Sequence, residues 1–216
     1  MKRFLPFFII LLVALIAAGT ATFLYRSKIQ AAAKTAAVAA AATPAPTPEQ
    51  ENAPDSLHAR GPAKAPVTLE IYGDFQCPSC ATTTGVIDEI EKEYSGKLRV
   101  VFHEFPLAMH KHAVPAAMAA EAAGEQNQFW EMHDLLYRYQ SVWTRMSDPE
   151  RFFHAYAQEL GLDPVRFSMD LKSAELMARI KSEGDAGVAR GVQNTPTLFV
   201  NGLDVRGVFR TVVLHS

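Results

Sequence analysis

The sequence predicts an α/β domain in which a strand–helix–strand unit is followed by a block of helices and closed by a helix and a β-hairpin. Three observations carry that expectation. Val67-Thr68-Leu69-Glu70-Ile71-Tyr72 alternates apolar and polar residues with β-forming side chains. From Thr83 onward the apolar spacing lengthens to three and four residues, which is helical. Near the end, Thr197-Leu198-Phe199-Val200 runs into Asn201-Gly202, a strong signal for a two-residue hairpin turn.

The elements follow in order. Pro78 suits the first turn of a helix, where its missing N–H costs nothing. Thr83, Ile87, Ile90 and Tyr94 mark the buried stripe of that helix, which ends near Gly96. Leu98 to Phe105 is a second strand, stopped by Pro106. Strand, helix, strand forms a βαβ unit, expected to be parallel and right-handed. A helical region spans about His112 to Arg190, within an insertion of about residues 107–190. Ala116 to Ala123 is rich in small residues for close packing, and Gly124 is placed to end that helix. Phe129, Trp130, Met132, Leu135, Leu136 and Tyr139 mark a second helix. Ser147-Asp148-Pro149-Glu150 matches a capping box with Ser147 as N-cap. Phe152, Phe153, Tyr156 and Leu160 form the buried side of that helix, and Gly161 ends it. Asp163-Pro164 opens another. Val205 to Val208 is the expected return strand of the hairpin.

The chemistry concentrates in Cys77-Pro78-Ser79-Cys80, which holds both cysteines of the chain. Two thiols at this spacing close into a small disulfide and open again. Between a strand and a helix, Cys77 meets unpaired N–H groups and the positive end of the helix dipole, which favour a thiolate. The thiolate is the reactive form, so the pair reads as a thiol–disulfide exchange site. A zinc site needs about four ligands, and no second cysteine pair exists. A purely structural disulfide closing so short a loop stabilises little. His103, His110 and His112 read as solvated or loosely packed residues rather than metal ligands. Asp74 and Glu104 flank strand ends, where either could accept the proton of Cys80. Ordinary capping or surface roles are the simpler expectation for each. Trp130, Trp143 and the phenylalanines of the helical block read as core, a few of them lining an apolar groove for unfolded substrate.

The ends of the chain are different in kind. From Phe4 to Leu24 no residue is charged. That run is long enough for a bilayer, which needs about 20 apolar residues. Residues 1–26 are thus an expected transmembrane anchor, with a cleaved signal peptide as the alternative because Ala17, Ala18, Gly19 and Ala21 are small. Residues 27–57 form an alanine- and proline-rich linker, with Thr43-Pro44-Ala45-Pro46-Thr47-Pro48 as a semi-rigid spacer. Residues 58–216 are the right size for one domain. The formal net charge is −2 and no basic stripe points to nucleic acid.

With these elements placed, the chain resembles the DsbA-like branch of the thioredoxin superfamily over about residues 60–210. Three features carry the likeness: Gly73-Asp74-Phe75-Gln76-Cys77-Pro78-Ser79-Cys80, the helical block after the βαβ unit, and Gly191-Val192-Gln193-Asn194-Thr195-Pro196-Thr197 leading into the hairpin. The resemblance implies a thioredoxin-like fold and a protein thiol–disulfide oxidoreductase, expected as a disulfide-donating oxidase. Reductase or isomerase chemistry and a non-catalytic chaperone are the alternatives. It implies Cys77 as nucleophile, Cys80 as buried resolving thiol, Pro78 and Ser79 as tuners of the potential, a cis Pro196, and Thr195 as a backbone partner for substrate. It implies no cofactor beyond the redox-active cysteine pair, no metal, exported cysteine-containing proteins as substrates and a membrane redox partner that resets the pair. The expected location is the inner membrane with the domain on the periplasmic side, or the periplasm after cleavage. One departure is evident. The family's terminal helix after the hairpin has no counterpart in Phe209 to Ser216, so one face of the sheet is expected to be less covered.

Overall fold

The computed structural model describes residues 58–205. The expected anchor or signal peptide, the linker of residues 27–57 and the segment from Arg206 onward lie outside the described residues. The described residues fall within a single compact unit.

The described domain is a five-stranded sheet with helices. β1 (Ala59–Arg60) and β2 (Val67–Gly73) precede α1 (Pro78–Glu93), then β3 (Leu98–Glu104) follows. The helical block holds α2 (Ala113–Gly124), α3 (Phe129–Arg138), α4 (Gln140–Trp143), α5 (Glu150–Glu159), α6 (Pro164–Asp170) and α7 (Ala174–Ala189). β4 (Thr197–Val200) and β5 (Leu203–Asp204) close the sheet, whose order is β1-β3-β2-β4-β5. β2 and β3 are parallel, with Gly73 opposite Glu104, and the other pairs are antiparallel.

Alternation along the strands sorts the side chains. Leu69, Ile71, Val100 and Phe102 join Phe75 and the alanines of α2 in one large core. Tyr72, Phe105, Val192 and Phe199 form a smaller cluster. That cluster is not bare: Gly187 of α7 packs where a Cβ would meet Tyr72 and Phe105, and Arg190 lies 4.2 Å over the Phe199 ring. Arg190 also donates to both carboxylate oxygens of Glu70. Burial would raise the Glu70 pKa, yet hydrogen bonds from His103 and Arg190 hold it down to about 2.

Local signals acted as expected at several points. Asp163 caps α6 by accepting from the N–H groups of Val165 and Arg166, and Gly161 takes a φ of 69° after α5. Asn201 and Gly202 take φ of 47° and 79°, both left-handed, as a two-residue hairpin requires.

Four expectations are corrected. β1 adds a strand ahead of the βαβ unit, one that the sequence does not signal because a two-residue strand carries no period. The Ser147 capping box does not form: Pro149 is the N-cap of α5 with no side-chain cap, and Asp148 accepts from the Glu150 N–H instead. Proline disfavours helical backbone in the residue before it, which keeps Asp148 out of the helix and leaves its carboxylate to take the Glu150 N–H. Tyr94 is half exposed rather than buried, since α1 has ended before it. The return strand is Leu203–Asp204, earlier than Val205 to Val208, because the two-residue turn sets Leu203 directly opposite Val200. Of the expected span, Val205 donates to the Leu198 carbonyl at 3.0 Å and residues 206–208 lie outside the described residues.

Candidate active site

Both cysteines sit where β2 hands over to α1. Asp74 ends the strand. Its carboxylate accepts from the Gln76 N–H at 2.7 Å and its carbonyl from the Cys77 N–H at 3.0 Å, a local turn typical of aspartate. Cys77 is then the N-cap of α1, with extended backbone angles, and Pro78 begins the helix. Both thiols are free, and Cys80 is the more buried, 2% exposed against 7% for Cys77.

Across from the pair, the Thr195–Pro196 peptide bond is cis, and the Cys77 Sγ lies 3.4 Å from the Thr195 carbonyl oxygen. The two sulfurs are electrostatically unlike. A hydrogen bond from the Cys80 thiol lowers the Cys77 pKa from the ordinary 9.0 to about 5; burial opposes this, while Thr195 and the N–H groups of Cys80 and Ser79 add to it. Burial and the neighbouring Cys77 push the Cys80 thiol well above 9.0. Pro78 and Ser79 stand exposed beside the sulfurs.

The turn carrying Cys77 is braced from three sides. Asp74, 1% exposed, also accepts from the Leu107 N–H at 2.8 Å and pairs with the His110 ring at 2.7 Å. Gln76 accepts from the His112 N–H at 2.6 Å. Gln140 of α4 donates to the Phe75 carbonyl at 2.7 Å and the Cys77 carbonyl at 2.9 Å. Gln140 and Gln76 carry no signal in the sequence. Each is a lone polar residue whose partner is 63 or 36 positions away.

The two carboxylates flagged from sequence are both interior, which overturns a surface role. Asp74 does cap, as described. Glu104 is wholly buried on the core face of β3, and neither of its carboxylate oxygens has a hydrogen-bond partner among the described residues. Burial raises its pKa well above the ordinary range, and the charges of Glu121, Glu183 and Asp74 push the same way. The Tyr137 hydroxyl is buried and unpartnered as well. The three flagged histidines do not converge: His103 pairs with Glu70 and stacks on Tyr72, His110 pairs with Asp74, and His112 is buried at the start of α2. Among the described residues no group of three potential ligands gathers for a metal. Trp143 is fully buried core. An open apolar groove of about 380 Å³ lies elsewhere, between α7 and the Phe105-Pro106 turn, lined also by Val114, Met177, Ile180 and Val188.

Known proteins match this arrangement. The profile of the thioredoxin family covers residues 52–208. The Na(+)/H(+) antiporter NhaA 1 of Salinispora arenicola is 40% identical over 164 residues, which is 76% of this chain but 24% of that protein. NhaA of Herminiimonas arsenicoxydans is 40% identical over 162 residues, 74% of this chain and 25% of its own length. The chain thus spans about a quarter of these curated relatives. Among solved structures, DsbA2 of Pseudomonas aeruginosa is 26% identical with a TM-score of 0.56, covering 71% of this chain and 86% of its own. The alpha-DsbA1 of Wolbachia pipientis, at 19% identity and a TM-score of 0.63, covers 76% of this chain and 92% of its own and is alike in fold. Matched over well more than half its length by that profile, with its cysteine pair facing a Thr-Pro turn across the end of the sheet, the chain belongs to the thioredoxin family, as a member of its DsbA-like branch.

Proposed function

We propose that this protein is a thiol–disulfide oxidoreductase that donates the Cys77–Cys80 disulfide to exported proteins. The observation that carries the reading is the asymmetry of the pair, a stabilised thiolate at Cys77 beside a buried, protonated Cys80. A low-pKa thiol is a good leaving group, and stabilising the reduced form makes the disulfide a stronger oxidant.

The exchange runs in two steps. A substrate thiolate attacks Cys77 Sγ, forming a mixed disulfide and breaking the Cys77–Cys80 bond. Cys80 leaves with the electron pair and takes up a proton. A second substrate thiolate then attacks the substrate sulfur of the mixed disulfide and releases Cys77 as thiolate. Two electrons have passed to the pair, and a membrane redox partner removes them. Pro78 and Ser79 tune the potential through the helix terminus. Thr195 and Pro196 present backbone to the substrate peptide in the manner of an added strand.

The apolar run of residues 4–24 supports a membrane-held domain facing the periplasm, an oxidising side where disulfides persist. The relatives named as Na(+)/H(+) antiporters, proteins of a membrane, are in keeping with that reading over the quarter of their length that this chain matches. The test uses the full chain and a reduced, unfolded protein substrate. Oxidation of its thiols should proceed and Cys77→Ser should abolish it; offered a disulfide-bonded substrate instead, Cys80→Ser should be trapped as a mixed disulfide through Cys77. Unchanged oxidation with Cys77→Ser sinks the proposal.

A further inference from the structure

The helical block does more than cover the sheet. Its α4 sends one side chain into the redox turn, and that side chain carries no charge. Gln140 is 8% exposed, and both bonds leave from its Nε2. The Cys77 carbonyl already accepts from the N–H groups of Cys80 and Ala81 at the start of α1.

We infer that Gln140 is a positioning residue of the redox site: its amide holds the Phe75 and Cys77 carbonyls and so sets the field in which the Cys77 sulfur lies. The inference deepens the proposed function, because it rests on Cys77 being the exchanging sulfur. The physical argument is one of sign. A carbonyl oxygen is the negative end of a dipole, and two of them belong to the turn that carries a thiolate. The amide hydrogens of Gln140 bind those oxygens and bring the positive end of their own dipole into the turn. A neutral thiol or a disulfide is nearly indifferent to that arrangement, whereas a thiolate is not. The amide therefore favours the reduced, ionised Cys77 over both neutral forms. A buried acceptor left without its donor is costly in its own right, but that cost falls on the oxidised and reduced states alike. The part that differs between states is electrostatic.

The distinction fixes the experiment. In the full-length chain, Gln140→Met keeps the volume and removes both donors. It exchanges one neutral side chain for another, leaving Asp74, Glu104 and Tyr137 in place. Two quantities are read: the pH profile of Cys77 alkylation, which follows the thiolate, and the equilibrium constant for disulfide exchange with glutathione. The expected result is an alkylation midpoint displaced upward and a disulfide that donates less readily by about fivefold or more, one pKa unit being tenfold. A midpoint and constant that match the parent within about twofold overturn the inference and leave Gln140 a packing residue. If the Met variant shows no cooperative thermal transition, Gln140→Asn carries the measurement. It keeps the amide, withdraws it by one methylene, and should move both quantities the same way. The alkylation profile reads Gln140 whether or not the parent chain oxidises protein substrates. Failure of the parent to exchange would count against the proposed function alone.

Discussion

The two cysteines lose their protons far apart on the pH scale, and the reduction potential must record it. Cys77 is held at about 5 and Cys80 well above 9.0. Between those limits the reduced pair carries one proton, so reduction takes up one proton for two electrons. The potential should then fall by about 30 mV per pH unit, the value of a tenfold change for a two-electron couple. Below about pH 5 both sulfurs are protonated on reduction, and the slope doubles to about 60 mV. An unperturbed dithiol keeps the steeper slope until its ordinary value of 9.0. At pH 7 the thiolate lies two units above its midpoint, about 2.7 kcal/mol of stabilisation of the reduced form. That makes the couple about 60 mV more oxidising than the same pair with an ordinary Cys77. The reduced protein should also gain stability as pH rises from about 5 toward 9, because its folded pKa lies below the unfolded one. The assay equilibrates the full chain with dithiol buffers of known potential at a series of pH values, with Cys77 alkylation as a cross-check. A slope of about 60 mV per unit through neutrality, with no break near pH 5, refutes the reasoning.

Two further predictions concern the interior. Glu104 has a folded pKa above its ordinary 4.5, so it binds its proton more tightly folded than unfolded. The parent therefore loses stability as pH rises past 4.5, by up to about 1.4 kcal/mol per unit. Glu104→Gln should remove that slope in urea unfolding followed across the acid-to-neutral range; parallel curves would show Glu104 to be ionised or relieved by water. Gly187→Ala places a Cβ 2.8 Å from the Tyr72 ring and 2.9 Å from the Phe105 ring. It should cost about 1–3 kcal/mol and lower the thermal midpoint by several degrees. An unchanged midpoint would mean that α7 slides freely on the sheet.

How much of this is legible in the sequence depends on the range of the signal. Period and turn chemistry are local, so β2, α1, β3 and the Asn201-Gly202 hairpin can be read directly. So can the handover from strand to helix that makes Cys77 an N-cap. The failures are competitions between local signals or matters of long range. Ser147 matches a capping pattern, but Asp148, held outside the helix by the proline after it, takes the Glu150 N–H. Ala59–Arg60 is a strand only because β3 offers it an edge. Glu104 looks like a strand-end carboxylate. It lies inside because alternation from Val100 and Phe102 carries it onto the core face, and that face is covered by helices distant in sequence.

The same difference in range bears on how the site works. The motif Cys77-Pro78-Ser79-Cys80 supplies two sulfurs, and an isolated peptide would have those but no stable helix terminus. What distinguishes the folded site arrives from elsewhere. Thr195 reaches Cys77 across 118 positions, Gln140 across 63, and His110 reaches Asp74 across 36. Burial of Cys80, which keeps it protonated beside an ionised neighbour, needs the helical block in place. The oxidising power proposed for this pair is therefore a property of the closed tertiary structure. It should vanish together with cooperative folding: under denaturant, Cys77 alkylation should revert to an ordinary thiol profile at the concentration where the domain unfolds. Reversion well before that point would mean that the helical block opens without the sheet, and that the site's field can be switched off in a chain still largely native.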